Sequence, residues 1–425
     1  MDNSTVEAVN RLTARWAARW SARSADAAEG TVFTAAGLWP LLALLADGAD
    51  GPARAELAEA LGIPADSAAE AARELLTALE GVRGLRAAAG LWARRDLPLE
   101  AAWAARLPAG TRSVLTGDED TDRKALDAWA AERTDGLVEK MPVEVGPHVE
   151  LVLASALALH LTWEQPFSER PVQPSHGPWG GRSLRGLTVT HAFPERIRVA
   201  RGPSGPVTLL RVPGGPGGPG GPGAPGGPGG PGGPGGPGAP GARGADVHLL
   251  LGEPGAAPGD VLTTGIAEVT GALASSTARE LPDGEAGPGL SLRTVESASS
   301  EPVARIGTVA FDLRAEHDLL EHAESFGLVS AAAAAAAPGP FPGISSVPLA
   351  VRSARQSAVA RFHAEGFEAA AVTAVGMFRG AARTRSYRVR RAEFEVDRPF
   401  GFLAVDRESG LVLFAGWVTD PATLL

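Results

Sequence analysis

The chain has 425 residues, is 44% hydrophobic and carries a formal charge of −10 at pH 7. That length and apolar content are enough to bury a large core, which excludes a wholly disordered chain, and the acidic balance argues against a nucleic-acid or anionic-membrane partner. The absence of cysteine excludes disulfides, thiol catalysis and cysteine-based metal sites. No apolar run of signal-peptide or transmembrane length follows the polar first ten residues, so we expect a cytoplasmic protein.

The first third of the chain predicts helices that alternate with short strands. Val9, Leu12, Trp16 and Trp20 are spaced by three and four, which predicts an amphipathic helix over Val6–Ala22. By the same reasoning we expect a strand at Thr31–Thr34, helices at Leu38–Ala46 and Ala53–Leu61, and strands at Arg86–Trp92 and Arg112–Leu115.

An acidic run precedes the next predicted helix, Asp122–Gly136. Asp118, Glu119, Asp120 and Asp122 could bind a cation, but a role in capping that helix is favoured. The apolar run Glu150–Trp163 then predicts a central strand that is covered on both faces.

A low-complexity block follows, with Gly at every third position and Pro common between them. The period over 214–243 is that of a collagen helix, but one short block is better interpreted as an extended, solvated loop. It separates two runs that read as strands of one hairpin, Val207–Val212 and Ala245–Leu251. We therefore predict an insertion over residues 213–244 within a single domain, 1–425.

The last third is predicted to be mainly β-structure. We expect strands at Thr308–Asp312 and Ser357–His363, a helix at His317–Phe326, and a closing hairpin formed by Phe400–Val405 and Leu411–Trp417.

No constellation for enzyme chemistry is apparent. His317 and His322 are five residues apart and would lie on different helix faces, so they predict helix-surface residues and not a metal pair. No nucleophile elbow, phosphate loop or dinucleotide fingerprint is present. We expect neither a cofactor nor a metal, and no enzymatic activity.

The order of motifs resembles the serpin family over about residues 30 to 421. The early segment from Phe33 to Gly62, the strand motif Leu151–Ser155 with Trp163–Phe167, the hinge-like Glu365–Ala374, and the pair Val396–Leu403 and Gly410–Gly416 are each similar to a family signature. The composition, rich in Ala, Gly, Pro and Arg, further suggests a bacterial source with a GC-rich genome.

The resemblance implies an α+β serpin fold with three β-sheets, about eight or nine helices and an exposed reactive-centre loop. It implies a suicide inhibitor: a target serine protease cleaves the loop, the segment before the cut inserts into the main sheet, and the acyl-protease is trapped. The alternative is a non-inhibitory serpin-fold binding or chaperone-like protein. We expect a monomer whose partner is the protease, with no nucleic acid and no membrane.

The resemblance also implies the site residues. The breach tryptophan falls on Trp163. The shutter positions, which lie under the main sheet, fall on Thr34, Gly37, Ser155 and Gln356. The hinge falls on the following nine residues: Gly366, Phe367, Glu368, Ala369, Ala370, Ala371, Val372, Thr373 and Ala374.

An inserting strand must bury one face at a period of two, so the hinge has two faces. Phe367, Ala369, Ala371 and Thr373 form one face, and the residues between them form the other. Small residues enter a packed sheet at little cost, whereas a Phe needs a matching pocket.

The hinge and reactive-centre loop are assigned to residues 366–391. Counting forward from Gly366 places the reactive bond at Arg379–Gly380, whereas counting back from the closing hairpin reaches Arg388; Arg383 and Arg385 lie between them. We favour Arg379, which implies a trypsin-like target because an acidic specificity pocket pairs with guanidinium. The six arginines of this region could instead bind a polyanion: Arg379, Arg383, Arg385, Arg388, Arg390 and Arg391.

Overall fold

A computed structural model describes residues 2–23, 29–108, 111–146, 148–175, 177–191, 194–215, 243–297, 300–333, 339–367 and 387–424. The α-helices in these residues are α1 Asn3–Arg23, α2 Ala35–Gly48, α3 Gly51–Leu61, α4 Ala65–Glu80, α5 Ala101–Ala104, α6 Glu119–Arg133, α7 Pro258–Val269, α8 Ala323–Phe326 and α9 Val329–Ala332. Short 3-10 turns lie at Pro194–Arg196 and Leu320–His322.

Twenty strands are found in the same residues. The first ten are β1 Thr31–Phe33, β2 Leu85–Arg94, β3 Arg112–Leu115, β4 Leu151–Leu159, β5 Leu161–Thr162, β6 Ser168–Val172, β7 Leu184–His191, β8 Ile197–Gly202, β9 Gly205–Pro213 and β10 Ala245–Gly252. The others are β11 Ser275–Thr277, β12 Gly284–Gly287, β13 Leu290–Ser297, β14 Val303–Val309, β15 Phe311–Asp318, β16 Arg355–Phe362, β17 Gly366–Phe367, β18 Tyr387–Glu395, β19 Phe400–Asp406 and β20 Val412–Val418.

The helices predicted in the first third are present, and α4 and α5 are found in addition to them. Val9, Leu12 and Trp16 of α1 are buried. The Thr34 side chain caps α2 by accepting a hydrogen bond from the Gly37 N–H at 3.2 Å. Asp118 caps α6 by accepting from the Thr121 N–H at 2.9 Å, so the acidic run has the capping role that was favoured.

A seven-stranded sheet forms the centre of the core, in the order β1-β20-β19-β10-β9-β8-β11. The closing hairpin β19–β20 is confirmed, and β9 and β10 pair antiparallel across the Gly/Pro block. Residues 216–242 of that block lie outside the described residues. The hairpin that the block interrupts is therefore present, while the insertion itself stays a prediction.

The second large sheet has six strands in the order β12-β13-β18-β14-β7-β6. Its strand β18 includes the last five residues, 387–391, of the range assigned to the hinge and loop. Arg388 pairs there with Glu296 of β13. This part of the predicted loop is thus a sheet strand in the structure.

Two smaller sheets are the halves of one divided sheet. One half has the order β15-β16-β17-β5 and the other the order β3-β2-β4. Strand β4 lies in one half and β5 in the other, and the two follow each other along one extended stretch of chain. Between them, the His160 N–H continues the β2–β4 ladder by donating to the Gly84 carbonyl at 2.8 Å. With these two halves counted as one sheet, the described residues contain the three β-sheets that the resemblance implies.

Two predictions in the last third are wrong in part. The predicted strand Thr308–Asp312 spans the end of β14 and the start of β15, with Ala310 between them. The predicted helix His317–Phe326 begins in β15, so only its second half is helical. His317 is not on a helix surface: its Nε2 lies 3.0 Å from the Val32 carbonyl oxygen, and its ring packs edge-on against Trp16.

Candidate strand-acceptor site

A slot runs down the divided sheet between β4 and β16. The β4 strand pairs with β2 on one side, and in the described residues its other edge, facing β16, has no strand partner. We define the slot by these two facing edges, Leu151–Leu159 and Arg355–Phe362. The prediction that this run is covered on both faces is confirmed, since α6 packs on one face and α2 on the other, but β4 lacks a neighbouring strand at the slot.

The upper end of the slot is closed by the first two hinge residues. Gly366 pairs with Thr162, and Phe367 pairs with Leu161 on one side and Phe362 on the other. Both pairings are antiparallel, so a longer strand in this position would run antiparallel to β4 and β16 alike.

Phe367 has a pocket at this position. Its side chain is 2% exposed, and its ring lies 6.1 Å, centroid to centroid, from that of Phe402 in the seven-stranded sheet. The cost expected for placing a Phe here is therefore met by packing against the central core.

Trp163 lies beside the upper end of the slot and forms two hydrogen bonds there. The indole N–H donates to the His363 carbonyl at 2.8 Å, and the Trp163 backbone N–H donates to the Glu365 carbonyl at 2.9 Å. The ring is buried against Phe362, with centroids 4.8 Å apart. Trp163 thus bonds to the turn that connects β16 to β17.

Gln356 ties the slot edge to the start of α2. Its Nε2 donates to the Thr34 carbonyl at 2.9 Å, and its Oε1 accepts from the Thr34 N–H at 2.9 Å. A Cβ added at Gly37 would lie 3.3 Å from Ser155 Oγ. The four residues assigned to the shutter are therefore close together beneath the slot, with the Thr34–Gln356 amide pair as the described polar contact.

The N-terminal end of the Gly/Pro block contacts the upper end of the slot, at Thr162 and Trp163. The sequence analysis did not predict this contact. The Gly215 N–H donates to the Thr162 carbonyl at 2.7 Å, and Gly214 forms a bridge with Trp163. Asp246 accepts from the Gly214 N–H at 3.2 Å and from Arg407 Nε at 3.1 Å. No local sequence signal marks these contacts, because they join residues that are 32 to 161 positions apart.

Most of the predicted hinge and reactive-centre loop falls on residues 368–386. Residues 368–386 lie outside the described residues, and with them the reactive bond Arg379–Gly380, the hinge beyond Phe367, and the alternatives Arg383 and Arg385.

Of the described arginines in the predicted cluster, Arg390 has a structural role. Its guanidinium lies 3.3 Å from an Asp283 oxygen and donates to the Arg279 carbonyl at 2.7 Å. It is therefore not free to bind a polyanion.

The described residues contain no cluster of three His, Asp or Glu side chains able to hold a metal ion. Among the helices of the described residues, none is both long enough and apolar enough to cross a membrane.

In the described residues, a slot divides this sheet, and the start of a further strand, β17, lies at its upper end. A family model described as "Serpin (serine protease inhibitor)" matches residues 7–176 and 309–421, and the chain belongs to this family. The family is one of protease inhibitors in general and not of enzymes.

Relatives agree with that assignment. Serpin-Z6A of Oryza sativa subsp. japonica is 27% identical over 412 residues, which cover 92% of this chain and 93% of the relative. Serpin-Z6C of the same plant is 46% identical over 74 residues, which cover 17% and 18% of the two chains. A bacterial source stays a prediction.

Solved structures show the fold. "Cleaved Serpin 42Da" has a TM-score of 0.68 at 15% identity, covering 99% of this chain and 98% of that one. "Thyroxine-binding globulin complex with thyroxine" has a TM-score of 0.67 at 15% identity, covering 99% of both chains. The prediction of a serpin fold with α- and β-structure is confirmed, and one of these neighbours is described as a complex with thyroxine.

Proposed function

We propose that the chain is a suicide inhibitor of a trypsin-like serine protease, cleaved at Arg379–Gly380 and then inserting its hinge into the slot. The observation that carries the proposal is β17. Gly366 and Phe367 already occupy the upper end of the slot with a partner on each side, while no strand of the described residues lies between the edges below them.

The register of β17 predicts what an inserted strand would meet. The ladder from β5 into β4 is continuous through His160, so the pairing of Phe367 with Leu161 can be extended one residue at a time. On that register Thr373 would stand opposite Ser155 on one side and opposite Gln356 on the other. A threonine hydroxyl would then reach the polar group beneath the slot.

The same register supports the choice of scissile bond. Met377 would stand opposite Leu151, the first residue of β4, and Arg379 would lie just beyond it. A cut after Arg379 therefore frees a strand whose length matches the slot. A cut at Arg388 would first require β18 to leave its sheet.

Backbone hydrogen bonding favours insertion of the hinge into the slot. Among the described residues, each facing edge of the slot carries N–H and C=O groups that lack a strand partner, and a new central strand would pair with both edges. Each intramolecular hydrogen bond contributes about 0.5–1.5 kcal/mol net, so a strand of roughly ten residues gains a large total. Ala369, Ala371 and Thr373 are small enough to face the core without overpacking.

The test is incubation with trypsin followed by denaturing electrophoresis and mass analysis of the released C-terminal fragment. We expect a complex that survives boiling in SDS and a fragment that begins at Gly380; Arg379→Ala should abolish both. A fragment that begins elsewhere would move the reactive bond.

Clean cleavage without a complex would contradict the inhibitory mechanism and favour the alternative, a non-inhibitory binding or chaperone-like protein. The melting temperature after cleavage also distinguishes the inhibitory from the non-inhibitory protein. A cleaved inhibitor that has inserted its strand becomes much more stable, whereas a non-inhibitory chain keeps its melting temperature. The proposal takes the active form to be a cytoplasmic monomer, which size-exclusion chromatography and fractionation would check.

A further inference from the structure

The lower end of the slot widens into a cavity of about 320 Å³. Its floor is one face of α2, with four leucines at helical spacing: Leu38, Leu41, Leu42 and Leu45. Phe341 and Ile344 extend this apolar floor, and the start of β4 forms one wall. The volume is in the range of small-molecule pockets, and the lining is mainly apolar, as in such pockets.

The charged side chains at the rim of the cavity differ in whether they have an ion-pair partner. The carboxylate of Glu144 lies 3.6 Å from Arg355, and that of Glu150 lies 3.9 Å from Arg94. Arg352 is exposed and has no ion pair with any described residue. The rim thus offers a free cation, while both of its carboxylates are already paired.

We propose that this cavity binds a medium-chain amphiphile with an anionic head, such as a fatty acid. The chain lies on the leucine floor of α2, and the carboxylate pairs with Arg352 at the rim. Burial of each methylene contributes about 0.8 kcal/mol, so a chain that fills the cavity binds more tightly than a shorter one.

The ligand would also regulate the site, and this part rests on the proposed function. Leu151, Val152 and Leu153 line the cavity and form the lower edge of the slot. An amphiphile there occupies the space that the last residues of an inserted strand need. Bound ligand therefore turns the chain from an inhibitor of the protease into a substrate.

The experiment is calorimetric titration of the intact, full-length chain with dodecanoate, without any protease. We expect saturable binding of one molecule per chain. Arg352→Glu should weaken it roughly tenfold, because an exposed attraction is replaced by a repulsion. Arg314→Glu is the matched control: it makes the same change at an exposed arginine of β15, outside the cavity, and should leave binding unchanged.

Dodecanol and dodecyltrimethylammonium test the choice of head group, and both should bind more weakly than dodecanoate. Equal binding of dodecanol, or equal binding by the two arginine variants, would overturn the assignment of an anionic ligand. Absence of saturable binding would overturn the site.

A second readout separates this proposal from the proposed function. Where trypsin forms a stable complex, dodecanoate should raise the proportion of cleaved, uncomplexed chain, and an unchanged proportion would refute the regulatory role. If no complex forms with or without dodecanoate, the inhibitory function fails while the binding result stands on its own.

Discussion

The amide pair between Gln356 and Thr34 gives a sharp test of how the slot is held together. Gln356→Ala removes two hydrogen bonds of 2.9 Å and leaves the Thr34 N–H and C=O without those partners. Each buried polar group left unpaired costs about 1–3 kcal/mol. With two such groups, we expect a total loss of about 2–6 kcal/mol in the free energy of unfolding.

The assay is the first unfolding transition in urea, followed by circular dichroism. Ser357→Ala is the matched control, since Ser357 is the next residue of β16 and is not buried. It should change stability by less than about 0.5 kcal/mol. Equal transitions for the two variants would show that the amide pair does not support the native state, and would refute the reasoning about the slot.

Three further results are expected. Ala371→Arg, on the inward face of the hinge, should abolish the SDS-stable complex because insertion would bury a charge, whereas Ala370→Arg, on the outward face, should keep it; equal complex formation would contradict the assigned faces. Burial lowers the pKa of His248 to about 4, so the unfolded chain binds the proton more strongly; stability is full above about pH 6.5 and falls by up to about 1.4 kcal/mol per pH unit towards pH 4. Urea unfolding at pH 7 and pH 5 should show this fall, and His248→Gln should reduce it. Replacing residues 216–242 with Gly-Ser-Gly should keep the β9–β10 hairpin and raise stability by about 1–2 kcal/mol through the shorter loop, and a lower melting temperature would contradict this.

Local periodicity predicts much of the fold because it reports burial directly. The apolar spacing that predicts α1, and the turn that predicts the β19–β20 hairpin, can each be recognised within a stretch of twenty to thirty residues. The helix α4, Ala65–Glu80, received no assignment, because its buried stripe consists largely of alanines, which carry little apolar signal. The predicted helix His317–Phe326 includes the last two residues of β15, although the alternation of buried and exposed residues in that strand indicates β-structure.

The site is less accessible to sequence reasoning because it depends on pairs of segments that are far apart. The resemblance locates Thr34 and Gln356 separately, but their reciprocal hydrogen bonds span 322 residues. An unpaired edge cannot be read from a strand's own sequence at all, since β4 carries the same pattern whether or not a neighbour is present. The cavity beneath the slot likewise follows from the space left between α2 and the edge of the sheet.

The hydrogen bond between Gly215 and Thr162 has a consequence for where this protein can hold a second molecule. Thr162 also pairs with Gly366, so the stem of the Gly/Pro block and the start of the hinge meet at one residue. Two segments tethered at a common point raise each other's local concentration without any new contact, and for short flexible tethers that concentration reaches the millimolar range. A molecule captured by the block would therefore be presented to whatever engages the neighbouring loop, and a fluorescent donor and acceptor attached at residues 229 and 380 would measure how closely the two are held.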